Sequence, residues 1–292
     1  MNDEPREIDR RSGLDRDAFF ADFSRAPGCP VIVSDATDGW TARTEWTFDF
    51  FRQRFGGQLV VVVDRLVQTK RGRRVRLDRY LDYVVDPEGA PLVDPPPETP
   101  FYLTTFSPFV DRPDLCDDFD DPYFVDNWYR REPGPLRSWY EQGFGWVFIG
   151  PAGTLSPFHV DLFGTHAWLA QLQGHKRVVL LPPDQTDLAD RVSVPFDASG
   201  ELRTDVSMPG ARTGVLAPGE VLFIPAGWPH AVISLEPSIS LTFNFVDRSN
   251  FQRHMLEVGR QMPLWLKKLE ANGGRERLGL GWPSPVFEAT TP

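Results

Sequence analysis

Gly145–Pro183, GWVFIGPAGTLSPFHVDLFGTHAWLAQLQGHKRVVLLPP, and Gly219–Val246, GEVLFIPAGWPHAVISLEPSISLTFNFV, decide the fold class. Within them WVFIG, PFHVDL, AWLAQL, KRVVLL, EVLFIP, HAVISL and ISLTFNFV are apolar runs of strand length bounded by Gly, Pro, Asp or Ser. That pattern predicts a β-barrel or sandwich. The polar interval from Pro182 to Gly219 reads as a loop over one mouth of the barrel. Upstream, Leu14–Arg25 has apolar residues at helical spacing, CPVIVSD (29–35) is a short buried strand, Thr47 can cap a helix FDFFRQRF (48–55), and LVVVVDRL (59–66) is a strand. KRGRRVR (70–76) and DPEGAPLVDPPPETP (86–100) read as surface loops. DRPDLCDDFDD (111–121), with six aspartates in eleven residues, reads as a solvated loop, with a calcium site or a dock for basic peptide as alternatives. Asn250–Ala271 predicts two short helices joined at Pro263, with Asn272-Gly273 after them.

The composition narrows the function. With 292 residues, 41% hydrophobic and 25% charged, the chain is neither disordered nor fibrous, and one large β domain accommodates it. The 28 prolines and 24 glycines exclude long helices over most of the chain. No stretch is long and apolar enough to span a bilayer, and MNDEPREIDRR lacks the apolar core of a signal peptide. Two cysteines, Cys29 and Cys116, make neither a disulfide scaffold nor a zinc site, so a cytoplasmic protein is expected. A net charge of -10 disfavours nucleic acid as a partner.

In PFHVDL alternate side chains share a face, which places His159 and Asp161 together and Phe158, Val160 and Leu162 opposite. An imidazole and a carboxylate two residues apart converge readily on one metal ion. His230, delivered into the next strand by the Pro-Ala-Gly-Trp-Pro turn, is the candidate third ligand. Two histidines and one carboxylate leave three positions open, the arrangement of non-haem Fe(II) oxygenases, whereas a closed structural zinc site uses four protein ligands. Alone, His-x-Asp is a common tripeptide that more often makes a hydrogen bond than a metal site.

The runs HVDLFGTHAWLAQLQGHKRVVLLPP and GEVLFIPAGWPHAVISLEPSISLTFNF together resemble the JmjC (jumonji-C, cupin-like) family of Fe(II)- and 2-oxoglutarate-dependent oxygenases. CPVIVSDATDGWTARTEWTFDFFRQRFG and TPFYLTTF are similar to that family's lead-in. The resemblance implies a mainly β fold with flanking helices: a double-stranded β-helix (cupin or jelly-roll barrel) over 145–247, preceded by lead-in elements in 1–144 and followed by a helical segment in 248–292, as a single domain over 1–292. It implies that His159, Asp161 and His230 bind iron. Lys176 stands where the family's lysine pairs with the distal carboxylate of 2-oxoglutarate, and Tyr102 matches a tyrosine holding the same group. Thr242 matches a hydroxyl-bearing residue of the last barrel strand, Asn244 shares that strand's face, and Ser156 sits where relatives place a threonine toward the co-substrate. Leu169 departs from an asparagine or tyrosine in several relatives, and Pro229 from a frequent aromatic.

The family's reaction consumes 2-oxoglutarate and O2, releases succinate and CO2, and hydroxylates a C–H bond. The preferred expectation is hydroxylation of an amino-acid side chain in a protein, peptide or peptide-like small molecule, whose basic character the acidic surface would suit. The alternatives are N-methyl-lysine demethylation and a non-catalytic or isomerase-type cupin holding another divalent metal. His166 and His175 are expected to pack or hydrogen-bond, His254 to lie at the surface, and Trp168 and Trp228 to lie in the core or line the pocket. Met255, Met262 and Trp265 of the C-terminal helices offer either a homodimer surface or a cover for the barrel's flank. GxSxG, P-loop and dinucleotide motifs are absent.

Overall fold

The computed structural model describes residues 4–64, 72–131 and 133–271, and in it the apolar runs 166–172, 221–234 and 238–246 are buried on both faces. The chain begins with β1 (Arg6–Glu7), β2 (Asp9–Arg11), α1 (Arg16–Phe19) running into a π-helical turn (Phe20–Ser24), and β3 (Val31–Val33). Then follow α2 (Thr41–Glu45), α3 (Phe48–Phe55), β4 (Leu59–Val63), β5 (Gly72–Arg76), α4 (Leu77–Val85), β6 (Leu103–Phe106) and α5 (Pro135–Gly143). Next come β7 (Gly145–Gly150), β8 (Leu155–His159), β9 (His166–Gln173), β10 (Lys176–Leu180) and α6 (Thr186–Val192). The last elements are β11 (Arg212–Leu216), β12 (Val221–Ile224), β13 (His230–Ser234), β14 (Ser238–Phe245) and α7 (Phe251–Ala271). Thr47 caps α3 as expected, its hydroxyl accepting from Phe50 N at 3.2 Å.

Two sheets face each other as in a jelly roll. One has the order β1-β11-β10-β13-β8, the other β2-β3-β12-β9-β14-β7-β6; each is hydrogen-bonded within itself, and no closed barrel forms among the described residues. Strand alternation produces three apolar layers. Ala167 and Leu169 of β9, Leu222 and Ile224 of β12, Val178 and Leu180 of β10 and Val232 of β13 meet between the sheets. The outward side chains of the larger sheet, Trp168, Phe243 and Phe245 among them, pack against the N-terminal helices and an aromatic cluster that includes Trp40, Trp46, Phe109 and Phe119. Aromatic pairs at such distances each add about 0.5–1.5 kcal/mol beyond area burial. Val179, Ala231 and Ile233 form the third layer with Ala189 of α6 and Phe196.

Several expectations are corrected. The 70–76 loop is in part a strand: β5 pairs antiparallel with β4, satisfying the backbone of an arginine-rich segment whose side chains stay largely outside; residues 70 and 71 lie outside the described residues. The interval 182–219 contains α6 and β11, and β11 pairs with β10. Helix α7 runs through Pro263 without division into two. Proline removes one backbone donor and crowds the carbonyl four residues earlier. Here that residue is exposed Gly259, whose surroundings are open, so solvent can take the freed carbonyl. On α7, Met262 packs partly against the core and Met255 is exposed. The side chain of Trp265 and the pair Asn272-Gly273 lie outside the described residues. The aspartate-rich segment is not wholly solvated: Asp118 accepts from Trp46 Nε1 at 2.8 Å, and half-buried Asp121 accepts from Asn127 and Trp168. No helix among the described residues is long and apolar enough to cross a membrane.

Candidate metal centre

β8 and β13 pair antiparallel with His159 directly opposite His230, and their rings lie 4.2 Å apart between centroids. β8 ends at His159, before the last three residues of the PFHVDL run, so Asp161 is not a strand residue. It stands instead at the head of a tight turn, Leu162–Gly164, in extended conformation, and still reaches the histidines. One ligand atom from each of His159, Asp161 and His230 lies within 4.8 Å of the others; among the described residues they are the one group of three or more His, Cys, Asp or Glu so placed. In each histidine Nδ1 faces a backbone carbonyl two residues upstream: Pro157 O at 2.8 Å from His159 and Trp228 O at 3.0 Å from His230. Nδ1–H must donate to that carbonyl, which leaves the Nε2 lone pair for a metal.

Gly227 makes the turn that delivers His230. Its φ of +83° suits glycine, and a Cβ there would fall 2.2 Å from the Arg253 guanidinium. Arg253 donates to Ala226 O, His166 Nδ1 accepts from Ala226 N, and Trp228 Nε1 donates to Pro27 O. His166 is therefore a buried hydrogen-bonded histidine rather than a ligand, and His175 is exposed and pairs with Glu236. His254 departs from expectation: it is 3% exposed on α7, held by Tyr129 and the Phe163 carbonyl. Its spacing from Val258 and Met262 puts it on the helix face that packs against the core, the one sequence signal of its burial.

The triad opens into a cavity of about 300 Å³ between the sheets, lined also by Tyr102, Ser156, Leu169, Lys176, Thr242 and Asn244. Lys176 shares the inward face of β10 with Val178 and Leu180, and β10 pairs with β13, which carries His230. Its side chain is 1% exposed; Nζ donates to Tyr102 Oη at 2.8 Å and lies over the Tyr102 and Phe148 rings. Burial pulls the ammonium down to about 7, and no carboxylate among the described residues offsets that effect. Thr242 lines the cavity while its hydroxyl donates to Trp168 O at 2.8 Å. The Asn244 amide donates to Thr165 Oγ1 at 2.8 Å, so that group braces the turn after Asp161. Leu169 and Ser156 line the cavity, Trp168 is in the outer core, and Trp228 borders the inner one.

The donor set fits a divalent ion: two neutral imidazoles and a carboxylate on one side, with room on the other. The buried Lys176 ammonium in the same cavity, without a carboxylate partner among the described residues, fits a co-substrate with a free carboxylate. The sequence profile of the cupin-like domain family matches residues 16–251. The chain belongs to that cupin-like family. The jumonji-C resemblance of the metal motif agrees with the relatives of this cupin-like chain. It is 30% identical over 278 residues to the 2-oxoglutarate and iron-dependent oxygenase JMJD4 of Homo sapiens, covering 84% of this chain and 65% of that protein. It is 27% identical over 298 residues to the bifunctional arginine demethylase and lysyl-hydroxylase psr-1 of Caenorhabditis elegans, covering 95% of this chain and 67% of that one. It is 30% identical over 260 residues to the arginine-specific demethylase JMJ22 of Arabidopsis thaliana, covering 83% of this chain and 47% of that one. The cupin-like chain spans less than two thirds of the length of several of these relatives, 26% of the length in the case of the lysine-specific demethylase JMJ21.

Proposed function

We propose that this chain is an Fe(II)- and 2-oxoglutarate-dependent oxygenase that hydroxylates an amino-acid side chain in a protein, peptide or peptide-like metabolite. The balance is R–H + O2 + 2-oxoglutarate → R–OH + succinate + CO2. His159, Asp161 and His230 would hold the iron, which supplies the O2-dependent oxidation of both 2-oxoglutarate and the C–H bond. The chain's own residues bind and position. Lys176 and Tyr102 receive the far carboxylate of the co-substrate in a charge-assisted contact. Ser156 and Thr242 add hydroxyls to the cavity lining from the two facing sheets, and Asn244 keeps the turn after Asp161 in place through Thr165. Ala167, Leu169, Ile224 and Val232 exclude water around the reacting group.

The observation that carries this reading is the buried Lys176 ammonium, without a carboxylate partner among the described residues, in the cavity that the three donors border. Purified protein with Fe(II), ascorbate and 2-oxoglutarate should release succinate even without prime substrate. Asp161→Ala and His159→Ala should abolish that release. Metal binding without 2-oxoglutarate binding would favour a cupin of another kind.

The demethylase names of several relatives support a second reading, in which the oxidised carbon is an N-methyl group. Hydroxylation there yields an aminol that breaks down to amine and formaldehyde. Formaldehyde released alongside succinate would choose it; a retained gain of one oxygen atom on the substrate would choose hydroxylation.

A further inference from the structure

Asp161 is followed by two residues of left-handed backbone, Phe163 at φ +57° and Gly164 at φ +61°. Glycine adopts that region freely; a phenylalanine does not and must be held there. What holds this turn comes mainly from α7, about ninety residues later. His254 Nδ1 lies 2.8 Å from Phe163 O, and Tyr129 Oη 2.7 Å from His254 Nε2. Because a carbonyl can only accept, Nδ1 carries the proton and Nε2 accepts from the tyrosine hydroxyl; burial favours this neutral form by pushing His254 below the ordinary histidine range. Asn250, buried near the start of α7, donates to Gly164 O and Phe245 O, both at 3.2 Å, and Phe163 N donates to Gln261 Oε1 at 3.3 Å. Gly164 lies against Arg253, where a Cβ would meet Cγ at 3.0 Å. The remaining edge of the turn is closed by Thr165, which bonds back to Leu162 O and accepts from Asn244 of β14.

We infer that His254, backed by Tyr129, is a positioning residue for the metal centre: it clamps the strained Phe163–Gly164 turn to α7 and thereby fixes Asp161 against His159 and His230. Val258 and Met262 pack α7 partly into the core, so the clamp is anchored to the body of the protein. The inference rests on Asp161 being a metal ligand, as in the proposed function. Partners that orient ligands from outside the coordination sphere typically change metal affinity 10- to 100-fold when removed.

The test is Mn(II) affinity of the full chain, measured by the loss of the free-ion paramagnetic resonance signal, together with the melting temperature of the metal-free protein. Wild-type binding that Asp161→Ala abolishes establishes the site itself. His254→Leu should then weaken Mn(II) about 10-fold. His254→Asn, whose amide can replace the Nδ1–H donor, should recover most of that loss even if its melting temperature stays as low as that of His254→Leu. Folded His254→Leu with wild-type affinity overturns the clamp and leaves the metal site standing, as does a loss that tracks melting temperature and is not recovered by asparagine. If His254→Leu does not fold, Tyr129→Phe, which removes one hydroxyl, decides. A weakening of about threefold supports the clamp, and unchanged affinity overturns it.

Discussion

Lys176→Met replaces the buried ammonium by a thioether of similar length. Burial brings the lysine from 10.5 down to about 7. Such a gap corresponds to a penalty of at most about 5 kcal/mol on the charged form, and water entering the cavity would reduce it to roughly 2–4 kcal/mol. The unfolded chain keeps its proton up to about 10.5, whereas the folded chain gives it up near 7, so between those values the unfolded state binds more protons. The penalty is therefore fully present below about pH 7 and is relieved as pH rises toward 10.5. Unliganded Lys176→Met should be more stable than wild type at pH 7 by roughly 2–4 kcal/mol, and the difference should shrink toward zero by about pH 10. Guanidinium titrations of both proteins at several pH values measure it. 2-Oxoglutarate should reverse the ranking, because its carboxylate recharges the lysine. With Zn(II) in the metal site at pH 8.5, binding to wild type should take up close to one proton, read calorimetrically in buffers of different ionisation enthalpy. Lys176→Met should bind the co-substrate about 100-fold more weakly, equivalent to about 3 kcal/mol, with no such uptake. A stability difference that does not change with pH, or co-substrate binding without proton uptake, would refute the reasoning.

Tyr102→Phe removes the hydroxyl that Nζ donates to, and should weaken 2-oxoglutarate about 5- to 10-fold in calorimetry while leaving Mn(II) affinity within twofold. His159→Ala and His230→Ala should each reduce metal affinity by at least about 100-fold. Only the second should also lower the melting temperature clearly, by about 2–4 °C, because His230 is buried and His159 is exposed. Gly227→Ala should cost about 1–3 kcal/mol in chemical denaturation and weaken Mn(II) as well, since its Cβ would displace Arg253 and strain the turn that delivers His230.

The layered core was legible because both faces of the sheet strands are apolar: β9 alternates Ala167 and Leu169 inward with Trp168 and Ala170 outward. The grouping of His159, Asp161 and His230 was read from strand alternation and from the jumonji-C resemblance; the three do meet, although Asp161 reaches the histidines from the turn after β8 and not from the strand. The elements that escaped are those whose stability is not written in their own side chains. β1 and β2 are two and three exposed residues, and only Ile8 between them is buried; Arg6 N to Ala211 O at 2.9 Å and Ile8 N to Thr213 O at 2.8 Å hold β1 against β11, and β2 is held by parallel pairing with β3. β5 is three arginines, a glycine and a valine, and is a strand because β4 offers a free edge. His254 was missed because its partners, Phe163 O and Tyr129, lie about ninety and more than a hundred residues away. Asn244 was read toward the co-substrate from its strand face alone; its amide is bonded instead to Thr165, a contact that depends on how the turn after Asp161 folds.

The central claim, that three side chains share one ion beside a lysine awaiting a carboxylate, is tested most directly by a crystal structure of the protein with Mn(II) and 2-oxoglutarate, with data collected at the manganese edge. One anomalous peak should lie about 2 Å from His159 Nε2, an Asp161 carboxylate oxygen and His230 Nε2. The far carboxylate of 2-oxoglutarate should lie within hydrogen-bond distance of Lys176 Nζ and Tyr102 Oη. Manganese bound elsewhere, or a co-substrate whose far carboxylate turns away from Lys176, would contradict it.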